Sequence, residues 1–186
     1  MIKGNLLLVP SGGLANRMRA IASAHILAKK TGSSLQVVWF KEKNILNAHF
    51  FDLFQPIDSN KLKIREANLA DYLLNQPPRK RNLWLTSIPQ FIIYDKRLDE
   101  NQTFECVCNK FNFKNWISGN NCYMVSYKDI MPVTDGLYLD LFKPQSKIQK
   151  DIDAFTNRFS SHTVGFHIRR TDHVAAIQNS PIELFI

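Results

Sequence analysis

At 186 residues and 21.5 kDa, with 45% hydrophobic, 22% charged and 11% aromatic residues, the chain is long enough for one domain and part of a second. These proportions exclude a disordered tail, a collagen-like repeat and a low-complexity linker. A formal charge of +8 favours an anionic partner, whether nucleic acid, a phosphorylated small molecule or a membrane surface, and does not choose among them.

The first residues, MIKGNLLLVPSGG, hold an apolar run of only four, Leu6 to Val9. That is too short for an export signal, and no stretch approaches the length of a membrane span. Cys106, Cys108 and Cys122 make an odd count without an export signal, which reads as reduced thiols and a cytoplasmic location. Cys106 and Cys108 would share one side of a strand. With no second pair and no His at ligand spacing, they predict buried thiols and no metal site.

In chain order, Asn5 to Pro10 reads as a short buried strand, broken by Pro10-Ser11-Gly12-Gly13. A helix is expected from Leu14 to Thr31, with Leu14, Met18, Ile21, Ala22, His25 and Ala28 on its apolar face and Arg17, Arg19, Ser23 and Lys30 elsewhere. Lys29 and Lys30 suit its negative end and Gly32 its C′ position. Ser34 to Phe40 is a second strand. This β-α-β order predicts a parallel sheet with helices on its faces.

The middle predicts a short helix over Ile45–Phe54 ended by Pro56, a strand over Leu62–Ile64, a helical turn or two over Leu69–Leu74, and a proline-and-basic loop over Gln76–Asn82. Leu83–Tyr94 alternates poorly and contains Pro89. Phe104–Cys108 and Cys122–Tyr127 read as strands. Lys143–Phe159 reads as a helix opened by Pro144, with Ile148, Ile152, Phe155 and Phe159 as its stripe. Thr163–Arg169 reads as a strand, and Ser180-Pro181-Ile182-Glu183 as a helix start with a capping box. A helix announced that clearly ordinarily runs further than Ile186, so the chain is expected to be a fragment.

Two segments carry candidate chemistry. In Val164-Gly165-Phe166-His167-Ile168-Arg169-Arg170-Thr171-Asp172, His167 and Arg169 would share one strand face. Arg169 and Arg170 would arrive at the C-terminal edge of a parallel strand, where open α/β sheets bind ligands, with two forks suited to phosphate oxygens. A pairing of Arg169 with Asp172 that only ties down the loop is an equal alternative. In Ser11-Gly12-Gly13-Leu14-Ala15-Asn16-Arg17, glycines between strand and helix would admit a diphosphate or sugar to the backbone, and Asn16 would project an amide toward it. The turn is neither a Walker loop nor a GxGxxG motif, and a tight βα turn by itself accounts for both glycines.

Together, Gly12-Gly13-Leu14-x-Asn16-Arg17 and, some 150 residues on, His167-x-Arg169-Arg170-Thr171-Asp172 resemble the fucosyltransferase superfamily. The second motif is most similar to the α-1,6-fucosyltransferases, the core N-glycan enzyme and its rhizobial nodulation-factor relative. The first looks like the Gly-x-x-Asn loop of α-1,2- and protein O-fucosyltransferases. The resemblance implies a GT-B-like fold of two Rossmann-type halves: residues 1–160 as the N-terminal half and 161–186 as the start of the donor-binding half. It implies inverting, metal-independent transfer of fucose from GDP-fucose, with no cofactor beyond that donor, to a glycan acceptor. The donor-binding residues it implies are Arg169 on the β-phosphate, His167 near the nucleoside, Arg170 in support with Asp172, and Gly13 and Asn16 across the cleft. The α-1,6 enzymes carry a Glu shortly after the second motif, proposed to act on the acceptor hydroxyl. Residues 173–179 hold no carboxylate, so no catalytic base is assigned.

Other features have plainer readings. Asp151-Ile152-Asp153 lies on a predicted helix, where i and i+2 diverge, and reads as a solvated surface rather than a metal motif. Arg79-Lys80-Arg81 reads as a solvated turn, with peripheral membrane contact left open. His25 reads as a hydrogen-bonded core residue, and Trp39, Trp84 and Trp116 as buried. A basic nucleic-acid- or anionic-surface-binding protein is the competing class, with Arg17, Arg19, Arg79 and Arg81 as fragments of a basic face. A non-catalytic relative of the fold is a third. The reading adopted has no nucleic-acid partner.

Overall fold

The computed structural model of the chain describes residues 2–77 and 83–165, with backbone only for 83–87. The expected opening unit is present: β1 (Asn5–Pro10), α1 (Leu14–Thr31) and β2 (Ser34–Trp39). Gly32 ends α1 in the left-handed region, at φ 71°, where a residue without Cβ is at ease. Then follow α2 (Phe50–Leu53), β3 (Leu62–Glu66), α3 (Leu69–Leu74), α4 (Leu83–Ile93), β4 (Lys96–Leu98), α5 (Glu100–Cys108), α6 (Phe113–Ile117), β5 (Asn121–Ser126), α7 (Asp135–Leu141) and α8 (Ser146–Thr156).

The five strands form one parallel sheet in the order β3-β2-β1-β5-β4. The chain leaves β1 toward β2 and β3, then returns to add β5 and β4 on the other side. β1 is therefore central, and the order reverses beside it, which is the Rossmann-like arrangement. On one face Leu6, Leu8, Leu35, Val37, Cys122 and Met124 form a core with α1, Trp116, Ile117 and Leu141. On the other face Leu7, Val9, Val38, Phe40, Tyr94, Tyr123 and Val125 pack together.

Five expectations are corrected. Arg17 and Ser23 of α1 are buried, not outside the apolar face. Ser23 accepts from the Ile130 amide at 3.2 Å, because the loop after β5 covers that side of the helix. Residues 104–108 are helical, not a strand: Asp99 caps α5 by accepting from the Gln102 amide, and the Gln102 side chain accepts from the Asp99 amide. Cys106 and Cys108 therefore diverge; Cys106 is half-buried and Cys108 exposed. The helix expected over 45–54 is only α2, because residues before it are held otherwise: Glu42 pairs with Leu46, and the Trp39 indole donates to the Ala48 carbonyl. Pro144 does not open α8. Residues 143–145 run antiparallel against 53–55, with Gln55 N donating to Lys143 O and Gln145 N to Leu53 O, both at 2.9 Å. Leu83–Ile93 is a helix with Pro89 inside it.

Residues up to Gln149 form one compact unit and residues 150–186 a second. Of the second, residues 150–165 are described: the C-terminal part of α8, an edge contact of Phe155 with Phe159 at 5.2 Å, and turns. Asp151 and Asp153 lie exposed on α8, as their helical spacing predicts. Residues 163–165 carry no regular structure. The remainder of the predicted strand, with His167, Arg169, Arg170 and Asp172, and the Ser180 helix start, lies outside the described residues.

Candidate functional site

A cavity of about 580 Å³ opens at the C-terminal edge of the sheet, next to the point where the strand order reverses. Every wall follows from the topology. Val9 to Gly12 come from the end of β1, Phe40 to Ile45 from the exit of β2, Asp99 to Asn101 from the exit of β4, and Tyr72, Gln76 and Pro77 from α3 and the residues after it. Open α/β sheets place ligands at this position because successive loops diverge there and leave a crevice.

The glycine turn forms the inner wall. Gly12 has φ 79°, which a side chain would strain. Gly13 is different: it has ordinary extended backbone, φ −70° and ψ 174°, and a Cβ there would meet nothing within 4 Å. The turn's geometry accounts for Gly12 and leaves the second glycine free of any steric demand from the fold. Asn16 lies behind Gly12, so that a Cβ on Gly12 would meet its amide nitrogen at 3.0 Å. Gly12 and Ser11 line the cavity; Gly13 and Asn16 are one step back from it.

α1 begins at this wall without a side-chain cap and without an acid in its first turn. Its first amides point outward from the N-terminus, carrying the positive end of the helix dipole. Beside them the Ser11 hydroxyl is buried, the residue only 8% exposed, and makes no hydrogen bond. Its amide continues the β1–β5 ladder, donating to Ser126 O at 2.9 Å. A buried hydroxyl without a partner is uncommon in folded proteins.

Arg17 holds the two principal walls together, a role sequence reading missed. It is 0% exposed. Its Nε donates to Gly12 O at 2.8 Å, Nη1 to Phe40 O at 2.6 Å and Nη2 to Glu42 Oε1 at 2.8 Å, and its guanidinium lies over the Trp39 ring at 4.7 Å. Burial lowers its pKa from the usual arginine value, while Glu42 and Glu66 work in the opposite direction. One side chain therefore fixes the turn after β1 against the exit of β2. It cannot belong to a surface basic face. Arg19 is exposed and engaged with Asp129 at 3.0 Å.

The cavity rim carries Glu42, Asp99 and Glu100 with Lys41, Lys43, Asn44 and Asn101, a polar set that alternates charge around Phe40 and Tyr72. None was singled out beforehand, because each sits on a loop with no motif of its own. His25 is not at this cavity. It borders a separate surface hollow with Gln55, Asp58, Ser59 and Lys143, its Nδ1 has no partner, and burial and Lys29 lower its pKa. Trp39 and Trp116 are buried, as expected. Trp84 lies where no side chain is described. Among the described residues no group of three or more His, Cys, Asp or Glu could hold a metal ion. Nor is any helix among them long and apolar enough to cross a membrane.

The sequence matches no protein-family model and no curated protein. The backbone is similar to that of NodZ alpha-1,6-fucosyltransferase soaked with GDP-fucose, with a TM-score of 0.58 and 18% identity over 98% of this chain and 65% of that one. A structure of fucosyltransferase NodZ from Bradyrhizobium aligns with a TM-score of 0.49 and 16% identity over 84% of this chain and 57% of that one. The chain thus spans 65% of the length of the first of these structures, and the likeness is one of fold: a parallel, Rossmann-like α/β architecture.

Proposed function

We propose that the chain is the N-terminal part of a GT-B-like glycosyltransferase of the fucosyltransferase type. It would transfer fucose from GDP-fucose to a glycan acceptor, with inversion and without a divalent ion, in the cytoplasm. The observation that carries this reading is the glycine turn at the cavity: an uncapped helix N-terminus, a buried Ser11 hydroxyl without a partner in the wall, and, one step behind it, a Gly13 that the fold itself does not require. All three suit an anionic, oxygen-rich ligand brought against backbone amides. The NodZ structure soaked with GDP-fucose shares this fold, and the two motifs that resemble fucosyltransferases lie in this chain at Gly12–Arg17 and His167–Asp172.

In this reading Arg169 grips the β-phosphate, Arg170 and Asp172 support it, and His167 lies by the nucleoside. Gly13, Asn16 and the start of α1 face the donor from the other side. A base takes the proton of the acceptor hydroxyl, the oxygen attacks the anomeric carbon, and GDP departs. The protein's main contribution is neutralising the charge that grows on the leaving diphosphate, which two guanidinium groups and a helix N-terminus supply. The activity is proposed for the whole fold, of which this chain spans the share given above.

Calorimetric titration with GDP and GMP tests the reading. GDP is expected to bind at least about tenfold more tightly, a preference worth about 1.4 kcal/mol, and to lose that preference in Arg169→Ala. Gly13→Val, whose side chain would enter open space, should weaken GDP binding about tenfold or more while costing only about 0.5–1 kcal/mol of stability, the ordinary penalty of an apolar residue at a helix N-cap. Salt-sensitive RNA binding without any GDP response would replace this reading with the nucleic-acid one.

A further inference from the structure

The cavity has a donor end and an acceptor end. At the glycine turn the groups are donors: the first amides of α1, which no side chain caps, with the unpartnered Ser11 hydroxyl beside them. On the loop leaving β2 the group is an acceptor, the Glu42 carboxylate, which lines the same cavity with its side chain 17% exposed. One guanidinium joins the two ends. Arg17 donates to Gly12 O at 2.8 Å, to Phe40 O at 2.6 Å and to Glu42 Oε1 at 2.8 Å, so the carboxylate is held in a fixed place relative to the turn, within reach of a single side chain.

Charge limits what can lie against each end. An anion suits the uncapped start of α1 and is repelled by Glu42. A cation is repelled by Arg17, which already lies against that carboxylate. The group that Glu42 takes is therefore uncharged and rich in O–H or N–H. As the partner of a guanidinium, a carboxylate offers acceptors and no donor, with about four acceptor positions on its two oxygens, more than the one bond that Arg17 supplies. Two adjacent hydroxyls match such an acceptor pair. The position agrees. In open parallel sheets that hold a phosphate at the N-terminus of the first helix, an acid at the end of the second strand takes sugar hydroxyls. β1, α1 and β2 stand in that relation here, and β2 is the direct neighbour of β1. The other acids of the cavity are placed differently: Asp99 and Glu100 follow β4 at the far edge of the sheet, and Asp99 is engaged in capping α5.

We infer that Glu42 binds the vicinal diol of a sugar joined to the diphosphate, and so sets which ligands the cavity prefers. The inference rests on the sugar-nucleotide reading and adds to it a residue outside both glycosyltransferase-like motifs. The diol has two sources in such a ligand, the ribose of the nucleoside and the hexose to be transferred, and both present the same pair of hydroxyls to the carboxylate.

Calorimetric titration of the 186-residue chain with inorganic pyrophosphate, GDP, 2′-deoxy-GDP and GDP-fucose tests it. The first comparison needs no substitution. A ribose diol on Glu42 shows as binding of 2′-deoxy-GDP about tenfold weaker than of GDP, and a hexose diol as binding of GDP-fucose about tenfold tighter than of GDP. Glu42→Gln, which keeps a side-chain oxygen for Arg17, should abolish whichever difference is found and leave pyrophosphate affinity within about twofold. A merely structural role weakens all four ligands together, because the glycine turn loosens with its tie to β2. The inference is overturned, with the sugar-nucleotide reading intact, when GDP is preferred to GMP but neither diol comparison exceeds about twofold. It is overturned in the same way when the difference survives in Glu42→Gln, or when that variant weakens all four ligands alike. If none of the four binds, the sugar-nucleotide reading fails and this inference with it.

Discussion

One face of the sheet presents Leu6, Leu8, Leu35, Val37 and Met124 to α1, α6 and α7. The other presents Leu7, Val9, Val38, Tyr123 and Val125. Against it lies a chain of buried polar groups: Arg65 on Asp71, Asn75 Nδ2 on Asp71 Oδ1 at 2.7 Å, the Tyr94 hydroxyl on Asn75 Oδ1 at 2.7 Å and the Tyr123 hydroxyl on Asn75 O at 2.8 Å. The first face is non-directional and tolerates change in proportion to volume lost. The second is a connected network, in which removing one member orphans its neighbours in a place water reaches poorly.

The largest expected effect tests that network. Asp71→Ala leaves Arg65, the Asn68 amide and the Asn75 amide without their acceptor. It should cost about 3–5 kcal/mol in urea unfolding. If the network matters through mutual satisfaction, Arg65→Met added to Asp71→Ala should recover only the share owed to Arg65, because the Asn68 amide and the Asn75 side chain still lack their acceptor. A loss below about 1 kcal/mol for the single variant would mean that the two faces do not differ in kind. The network also has a pH signature. Burial works to raise the Asp71 pKa, but the hydrogen bonds from Arg65, Asn68 and Asn75 and the charge of Arg65 outweigh it and hold the carboxyl below its ordinary 3.8. A depressed folded pKa means that the stabilisation is fully present above pH 3.8 and lost as pH falls through the lower folded value. Asp71→Asn should flatten that acid limb. At the alkaline end burial first, and Asp71 second, raise Tyr94 to about 12 despite Arg65. Stability should therefore decline from pH 10, where the unfolded tyrosine ionises, toward about 12.

Leu8→Ala is the matching probe of the other face. Leu8 is fully buried in the central strand. The expected loss is about 2–5 kcal/mol, set by the cavity left behind. It should be independent of pH from the acid to the alkaline limb, which distinguishes it from the Asp71 variants.

The two faces also differ in how readable they were. β1, α1 and β2 follow from a continuous apolar run, two glycines and a 3.6-residue period, and a parallel sheet follows from the β-α-β order they set, while the three residues of β4 carry no such pattern. The glycine turn was legible for the same reason, since strand-turn-helix contexts place it at the sheet's edge. The rest was hidden by long-range chemistry. A charged Arg17 reads as surface until the Gly12 and Phe40 carbonyls and the Glu42 carboxylate are seen around it, and those partners are five to twenty-five residues away in the chain. The rim residues Asp99 to Asn101 join the cavity only because β4 is placed at the sheet's far edge. α3 follows the helical turn or two expected over Leu69–Leu74, whereas Pro89 inside α4 breaks the helical signal over Leu83–Ile93.

α5 offers the smallest and most local test. Phe104, Cys106 and Cys108 alternate like a strand, yet the segment is helical, and the reciprocal Asp99–Gln102 box, with Glu100 in the first turn, favours helix at that end. Asp99→Ala removes the acceptor for the Gln102 amide at 2.8 Å and should cost about 1 kcal/mol. Asp99→Asn keeps an acceptor and should cost only a few tenths of that. The effect should appear in hydrogen exchange as faster opening of the first turn of α5, with the Leu8 and Tyr123 amides unchanged. If Asp99→Ala instead opens β4 and β5 along with the helix, the cap serves the sheet edge rather than the helix. Asp99 would then belong with Asp71, among the groups whose loss spreads, and the contrast between the two faces would extend to the cavity rim.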